Sequence, residues 1–163
     1  MKKTNIELPE IKLVGITART SNANEMNPDM ALIGPTINRY FSNNLGEKIL
    51  DRVKPYMTYC VYTNYASDES GDYTYFVGEE VSSFENVDSI FEKHIIPAQT
   101  YIKFECGPGN MPDLCISAWQ DIWQMTPDDL GGARSYISDF EIYDQRAIDP
   151  ENTVLDIYLG VDN

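Results

Sequence analysis

The stretch Tyr73-Thr74-Tyr75-Phe76-Val77-Gly78-Glu79-Glu80-Val81 has a counterpart near the end of the chain. There, Ile157-Tyr158-Leu159-Gly160 repeats the aromatic and aliphatic pattern that ends in a glycine. Runs rich in Tyr and β-branched residues are typical of strands. Each run follows another such run across a turn of Asp, Ser, Gly, Pro or Asn residues, which is a hairpin signal. The two preceding runs are Tyr56–Tyr65 and Tyr136–Arg146.

A strand and a helix are predicted before each hairpin. Residues 10–18 alternate between apolar and polar or small side chains, and residues 94–106 do the same, so both predict strands. Helical spacing of apolar residues follows at 33–45 and at 111–125. In the first of these helices Pro35 suits the first turn, and Gly46 marks the predicted end.

The order strand–helix–strand–strand therefore occurs twice, at approximately residues 9–84 and 92–163, and predicts an α+β fold. Since one helix covers only part of such a half-sheet, we expect the halves to join edge to edge. The result would be one antiparallel sheet with two helices on one face, in a single domain over residues 1–163. A cleft between the two helices would be a natural ligand site.

The composition excludes several classes of partner. The 163 residues are 42% hydrophobic, enough for a core, and carry a net charge of −14. Residues 55–163 hold 20 of the 26 Asp and Glu but only 4 of the 12 Lys and Arg. Because phosphate backbones need a basic face, we expect no direct nucleic-acid binding. The chain shows neither an apolar run of bilayer length nor a signal peptide, so we expect a cytoplasmic protein with no membrane partner.

The cysteine and histidine content argues against a metal or a cofactor. Cys60, Cys106 and Cys115 are odd in number and show no Cys-x-x-Cys spacing, and His94 is the only histidine. Zinc sites and histidine-based triads need more than this set supplies. The chain also has no Walker loop, dinucleotide fingerprint or Gly-x-Ser-x-Gly elbow. We therefore predict no metal and no cofactor.

The segment Asp139-Phe140-Glu141-Ile142-Tyr143-Asp144 carries the main candidate for chemistry. Side chains alternate along a strand, so Glu141 and Tyr143 share one face while Phe140 and Ile142 point the other way. Glu141 is either a solvated residue of a half-buried strand or a carboxylate that faces the cleft. In a cleft lined by aromatic rings, this carboxylate would attract a cation and could serve as a general acid or base.

Aromatic residues are the candidate walls of that cleft, although core packing is the simpler role for each of them. The chain has eleven Tyr and six Phe, and Tyr lines a wetted cavity more easily than it fills a dry core. The predicted ligand-binding residues are Glu141, Tyr143, Trp119, Tyr101, Trp123, Tyr62 and Tyr75.

Taken in order, several segments resemble the GyrI-like family, the effector-binding domains also found in AraC-type and MerR-type regulators. They are the stretch 73–81, Ile96-Pro97-Ala98-Gln99-Thr100-Tyr101, a helix with Trp119, Phe140-Glu141-x-Tyr143, and a last strand ending in Gly160-Val161. The resemblance runs from about Pro9 to Val161. It implies a duplicated fold with a central pocket, in which Glu141 is the acidic residue that meets cationic aromatic compounds.

This chain departs from the regulators because it shows no helix-turn-helix segment. We therefore expect a stand-alone protein that binds small, cationic or amphipathic organic molecules and needs a partner regulator for any role in transcription. The exposed sheet edges allow a homodimer. Relatives within the resembled family include hydrolases and gyrase inhibitors, which leaves two alternatives. One is a hydrolase of strained or electrophilic compounds with Glu141 and Tyr143 as catalytic residues. The other is a gyrase inhibitor whose acidic surface mimics nucleic acid.

Overall fold

The computed structural model describes residues 1–162. In this range nine strands belong to one antiparallel sheet, and four helices accompany it. The strands are β1 (Lys2–Leu8), β2 (Ile11–Ser21), β3 (Thr58–Thr63), β4 (Asp72–Glu80), β5 (Glu92–Ile96), β6 (Gln99–Gly109), β7 (Ala133–Arg134), β8 (Ser138–Tyr143) and β9 (Thr153–Asp162). The helices are α1 (Asn22–Glu25), α2 (Ile33–Ser42), α3 (Asp113–Trp123) and α4 (Pro127–Leu130). Short 3₁₀ turns lie at Leu45–Lys48 and Gln145–Ala147.

The predicted fold class is confirmed, including the joining of two similar halves at their edges. The strand order is β1-β6-β9-β8-β3-β4-β2-β5, with β7 beside β9. Strands β2, β3 and β4 with helix α2 form the first half, and β6, β8 and β9 with α3 form the second. The halves meet where β3 pairs with β8, which places Cys60 opposite Glu141. The middle strand of the repeat thus brings the main candidate residue to the centre of the sheet.

The sheet is strongly curled. Two residues, Pro9 and Glu10, connect β1 to β2, although six inter-strand steps separate these strands in the sheet order. Such a linker spans at most about 11 Å, whereas six steps across a flat sheet would measure about 29 Å. Pro97 and Ala98 connect β5 to β6 across the same distance. The two ends of the sheet must therefore lie close together.

Each face of the sheet carries buried apolar residues. On one face, α2 packs over the first half through Ile33, Ile37 and Tyr40, while α3 packs over the second half through Ala118 and Trp119. The opposite face contains a third cluster and no helix residue. Its members are Ile11, Leu13, Tyr59, Val61, Phe76, Ile96, Tyr101, Phe140, Ile142 and Tyr158. Since these side chains are at most 8% exposed, the curl of the sheet encloses them.

Local hydrogen bonds define the ends of the helices. The Glu25 carboxylate accepts hydrogen bonds from the backbone N–H groups of Leu32 and Ile33 and so satisfies two free donors at the start of α2. Helix α4 begins with a capping box in which the side chains of Thr126 and Asp129 each accept from the other's backbone N–H. Helix α1 lies between β2 and α2, and its last residue, Glu25, thus holds the start of α2.

One strand prediction was wrong, and one strand was missed. The run His94–Cys106 was predicted as one strand but forms β5 and β6, which lie near opposite ends of the sheet order. Pro97 lies between them, and proline has no N–H to continue a ladder. Strand β1 was not predicted at all; it lies outside both predicted halves and pairs with β6. The predicted helix 33–45 ends at Ser42, and Gly46 lies in the following 3₁₀ turn.

Candidate functional site

Strand β8 presents Glu141 and Tyr143 to the helix-covered face, while Phe140 and Ile142 belong to the enclosed cluster on the other side. The shared face predicted from the alternation is therefore confirmed. Tyr143 contacts both the cluster beneath α2 and the cluster beneath α3, and so does Tyr62 on the neighbouring strand β3. Glu141 thus lies where the two halves meet.

The Glu141 carboxylate accepts hydrogen bonds from three aromatic side chains. The Tyr143 hydroxyl donates to Oε1 at 2.7 Å. The Tyr62 hydroxyl donates to Oε2 at 2.8 Å, and the Trp119 indole N–H donates to the same oxygen at 2.6 Å. The Cys115 thiol lies 3.4 Å from Oε2. We call Glu141 together with Tyr62, Trp119 and Tyr143 the carboxylate cage.

Further aromatic rings surround this cage. The Tyr62 ring centroid lies 5.1 Å from that of Trp119 and 5.4 Å from that of Tyr75, both edge to face. Tyr73 lies 5.6 Å away on the same strand as Tyr75. Aromatic rings present a negative face that attracts cations. Glu141 is therefore surrounded mainly by apolar ring surface, and the faces of these rings also attract cations.

Glu141 differs from the other buried carboxylates in having no basic partner. Four acidic side chains are buried in residues 1–162: Glu79, Asp139, Glu141 and Asp156. Glu79 pairs with Arg52 at 3.2 Å, Asp139 with Arg134 at 2.8 Å, and Asp156 with Arg146 at 2.7 Å. Glu141 is only 2% exposed, yet no basic side chain of the described chain lies within ion-pair distance of it.

Burial and the charge of Glu141 together keep the surrounding donors protonated. Burial first, and the negative charge of Glu141 second, raise the pKa of Tyr62 and of Tyr143 well above the ordinary value of tyrosine. The same two causes raise the pKa of the Cys115 thiol. A thiol held in this way is a poor nucleophile, because the thiolate is the reactive form. The cage therefore offers one carboxylate among neutral donors.

The structure brings five of the seven predicted residues together and leaves two elsewhere. Glu141, Tyr143, Trp119, Tyr62 and Tyr75 lie in or beside the cage. Tyr101 lies in the enclosed cluster on the opposite face, with its ring 5.2 Å from that of Phe140, because the alternation of β6 points it away from α3. Trp123 is half exposed and lines a different cavity. The sequence reasoning missed Cys115 as a neighbour of Glu141, although it precedes Trp119 by one helical turn.

Aromatic side chains contact Glu141 on both of its carboxylate oxygens. Two cavities of the described chain lie elsewhere. One, of about 240 Å³, lies beside the end of α3, and one, of about 60 Å³, lies between β1 and β6. Neither cavity is lined by Glu141. The half-buried Tyr62 and Tyr143 cover Glu141, and the central ligand pocket stays a prediction.

Two kinds of feature are absent from the described residues. No helix within residues 1–162 is long and apolar enough to cross a membrane. In the same range, no group of three or more His, Cys, Asp or Glu side chains is arranged to hold a metal ion.

Comparison with known proteins specifies the family. Residues 6–161 match the family model Cass2, described as an integron-associated effector binding protein. The chain is 27% identical over 155 residues to YobU of Bacillus subtilis (strain 168), a protein named as a transcriptional regulator, and the match covers 92% of this chain and 91% of YobU.

Solved structures show the same fold. The integron cassette protein VCH_CASS2 from the mobile metagenome of Vibrio cholerae superposes with a TM-score of 0.78 at 26% identity, over 98% of this chain and 95% of that one. SAV2435 superposes with a TM-score of 0.79 at 14% identity, over 100% and 95% of the two chains, and shows the shared fold alone. The expected effector-binding class is thus confirmed in its coarser form, while the assignment to the GyrI-like, AraC-type group stays a prediction. The chain belongs to the Cass2 family of integron-associated effector binding proteins.

Proposed function

We propose that this protein binds an organic cation with a large apolar surface, and that Glu141 provides the opposite charge. The observation that carries the proposal is that Glu141 is buried with no basic partner in the described chain, whereas Glu79, Asp139 and Asp156 each have one. An unpaired buried charge costs several kcal/mol, and the family to which the chain belongs is one of effector binders. A cationic ligand would supply the missing charge.

The walls of the cage suit the apolar part of such a ligand. Tyr62, Trp119 and Tyr143 each place an aromatic ring beside the carboxylate. A cation that lies over such rings gains attraction beyond that of burial alone, and more when water is excluded. Large apolar cations, which lose little hydration on burial, would therefore be preferred over small hydrated cations such as ammonium.

Binding requires some of the rings to move. Tyr62 and Tyr143 are half-buried and each donates one hydrogen bond to Glu141, so rotation of either ring opens the cage and breaks one bond. A hydrogen bond to a charged group is worth about 1.5–3 kcal/mol, which a paired cation at the same carboxylate offsets. The neutral donors thus hold the carboxylate until a cation replaces one of them.

Relatives support the ligand class and the biological setting of the proposal. SAV2435, which shares the fold, has been solved bound to tetraphenylphosphonium, an apolar cation. YobU is named as a transcriptional regulator. We infer that this chain acts as a receptor for such compounds, either by itself or with a partner regulator that responds to the bound state.

Calorimetry with two probes of the same shape tests the role of charge. Tetraphenylphosphonium and tetraphenylborate have the same four rings but opposite charges. We expect the cation to bind and the anion to bind at least tenfold more weakly, since a buried charge pair is worth about 2 kcal/mol or more. Glu141→Gln should weaken binding of the cation at least tenfold, by the same reasoning.

Glu92→Gln is the matched control, because it removes the same charge from an exposed strand position. It should leave the affinity for tetraphenylphosphonium unchanged. Equal binding of both ions, or equal affinity in wild type and Glu141→Gln, would contradict the proposal.

A further inference from the structure

The cavity beside the end of α3 is separate from the carboxylate cage. It has a volume of about 240 Å³ and is formed by the last turn of α3, the segment that follows it, and the tip of the β3–β4 hairpin. Trp123 and Met125 come from the first two parts and Glu69 from the hairpin. None of the three donors to Glu141 lines this cavity.

The walls of this cavity favour a flat aromatic molecule. Six of its nine lining residues are apolar or aromatic members of the segment 122–133. Trp123 is half exposed and lines the cavity, so part of its indole is open to a ligand. Tyr136 forms another part of the wall. The Arg134 guanidinium lies over its ring, 4.4 Å from the centroid, and the Tyr65 ring packs against it with the two centroids 5.6 Å apart. A rigid ring held on two sides forms a firm wall at little cost in entropy.

The charges at the cavity favour a cation. Arg134 is only 12% exposed and its Nη2 pairs with Asp139 at 2.8 Å, so the charge of this guanidinium is balanced within the protein although its buried Nε has no hydrogen-bond partner among the described residues. Glu69 accepts a hydrogen bond from the Tyr136 hydroxyl, and no basic side chain of the described chain forms an ion pair with it. Asp68 adds a second exposed carboxylate at the same hairpin tip. The local potential at the mouth is therefore negative.

We propose that this cavity is a second binding site, for small aromatic ammonium compounds, and that it works independently of Glu141. Its volume equals about eight water molecules at about 30 Å³ each, which accommodates one ring with a short side chain. Tetraphenylphosphonium, with four rings, does not fit in it. The ring of the ligand packs on Trp123, and its ammonium group faces Glu69.

The two tryptophans allow both sites to be observed at once. The chain contains only Trp119 and Trp123, one in the carboxylate cage and one in the cavity. A ¹⁵N-labelled sample therefore gives two indole N–H resonances, which Trp123→Phe assigns. We expect phenethylammonium to shift the Trp123 resonance, with a dissociation constant of about 0.1–1 mM for a ligand of about nine heavy atoms, and to leave the Trp119 resonance in place.

Variants separate the contribution of charge from that of the ring. Glu69→Gln should weaken phenethylammonium binding about fivefold or more while the Trp123 resonance still shifts at higher concentration. Glu85→Gln, an exposed loop carboxylate, is the matched control and should change nothing. 3-Phenylpropionate, an anion of similar size, should bind more weakly than phenethylammonium.

The outcomes distinguish this inference from the proposed function. If phenethylammonium shifts neither resonance, or only that of Trp119, or if Glu69→Gln binds it as well as wild type, the second site is refuted. If tetraphenylphosphonium fails to shift Trp119 while phenethylammonium shifts Trp123, the proposed function fails and the second site stands.

Discussion

Asp139 and Glu141 are buried carboxylates on the same face of β8. Comparing variants of the two shows which of these charges stabilises the folded protein. Asp139 binds the Arg134 guanidinium at 2.8 Å, the Tyr65 hydroxyl at 2.5 Å and the backbone N–H of Gly160 at 2.7 Å. Glu141 has a similar number of donors but no cation. We compare Asp139→Asn with Glu141→Gln, since each change removes one charge and retains the shape of the side chain.

The expected changes in free energy of unfolding differ in size. Asp139→Asn leaves the buried guanidinium of Arg134 without its charge partner, a loss of about 3–5 kcal/mol. In Glu141→Gln the amide oxygen can accept from Trp119 and Tyr62, and the amide N–H₂ can donate to the hydroxyl of Tyr143. Three charge-assisted bonds then become neutral, at about 1 kcal/mol each. Removing an unpaired buried charge returns several kcal/mol. The net change should lie within about 2 kcal/mol of zero.

Thermal and urea unfolding followed by circular dichroism measure this difference. For a chain of this length, 1 kcal/mol corresponds to about 2–4 °C in Tm, so Asp139→Asn should lower Tm by about 6–20 °C and Glu141→Gln by much less. A Glu141→Gln protein as unstable as Asp139→Asn would refute the reasoning. Glu141 would then be a structural residue, and its lack of a cation would no longer indicate a ligand.

Three further predictions concern the scaffold. Burial lowers the pKa of His94 below its ordinary value, so the unfolded chain binds this proton more readily than the folded one. The free energy of unfolding should therefore fall as pH drops below about 6.5. His94→Gln should make the free energy of unfolding, measured in urea, depend less on pH between about 7 and 5. A Cβ at Gly78 would lie 2.1 Å from the Val14 carbonyl oxygen, so Gly78→Ala should force β2 and β4 apart and yield far less soluble protein than wild type. Thr126→Ala removes the capping box with Asp129 and should cost about 1 kcal/mol in urea unfolding, with no effect on the affinity for tetraphenylphosphonium.

Much of the fold could be predicted because its signals are local. The two hairpins and the helices α2 and α3 follow from periodicity and turn residues within short windows. The break between β5 and β6 also has a local signal, because Pro97 interrupts the run. It was missed because the alternation of apolar and polar residues continues from β5 into β6. Strand β1 has weak apolar alternation and forms because β6 offers it an edge.

The site was predicted in part, for the same reason. The alternation of β8 placed Glu141 and Tyr143 on one face without any knowledge of the partners. Alternation along β6 shows that Tyr101 and Ile102 point to opposite faces, but it does not show which face helix α3 covers. The register between β6 and β9 decides that point. Trp123 lies one turn beyond Trp119, yet the end of α3 passes over a different cavity.

By itself, the sequence determined that two similar strand–helix–strand–strand units would form, and that Glu141 and Tyr143 would face the same way, because both depend on backbone geometry over a few residues. Only the tertiary structure decided that Glu141 would be buried without a cation. The basic partners of the other buried carboxylates lie at different separations along the chain: Arg52 is 27 residues from Glu79, whereas Arg134 and Arg146 are only 5 and 10 residues from Asp139 and Asp156. The surroundings of Glu141 depend on tertiary structure instead, because the pairing of β3 with β8 brings Tyr62 to it and the packing of α3 brings Trp119.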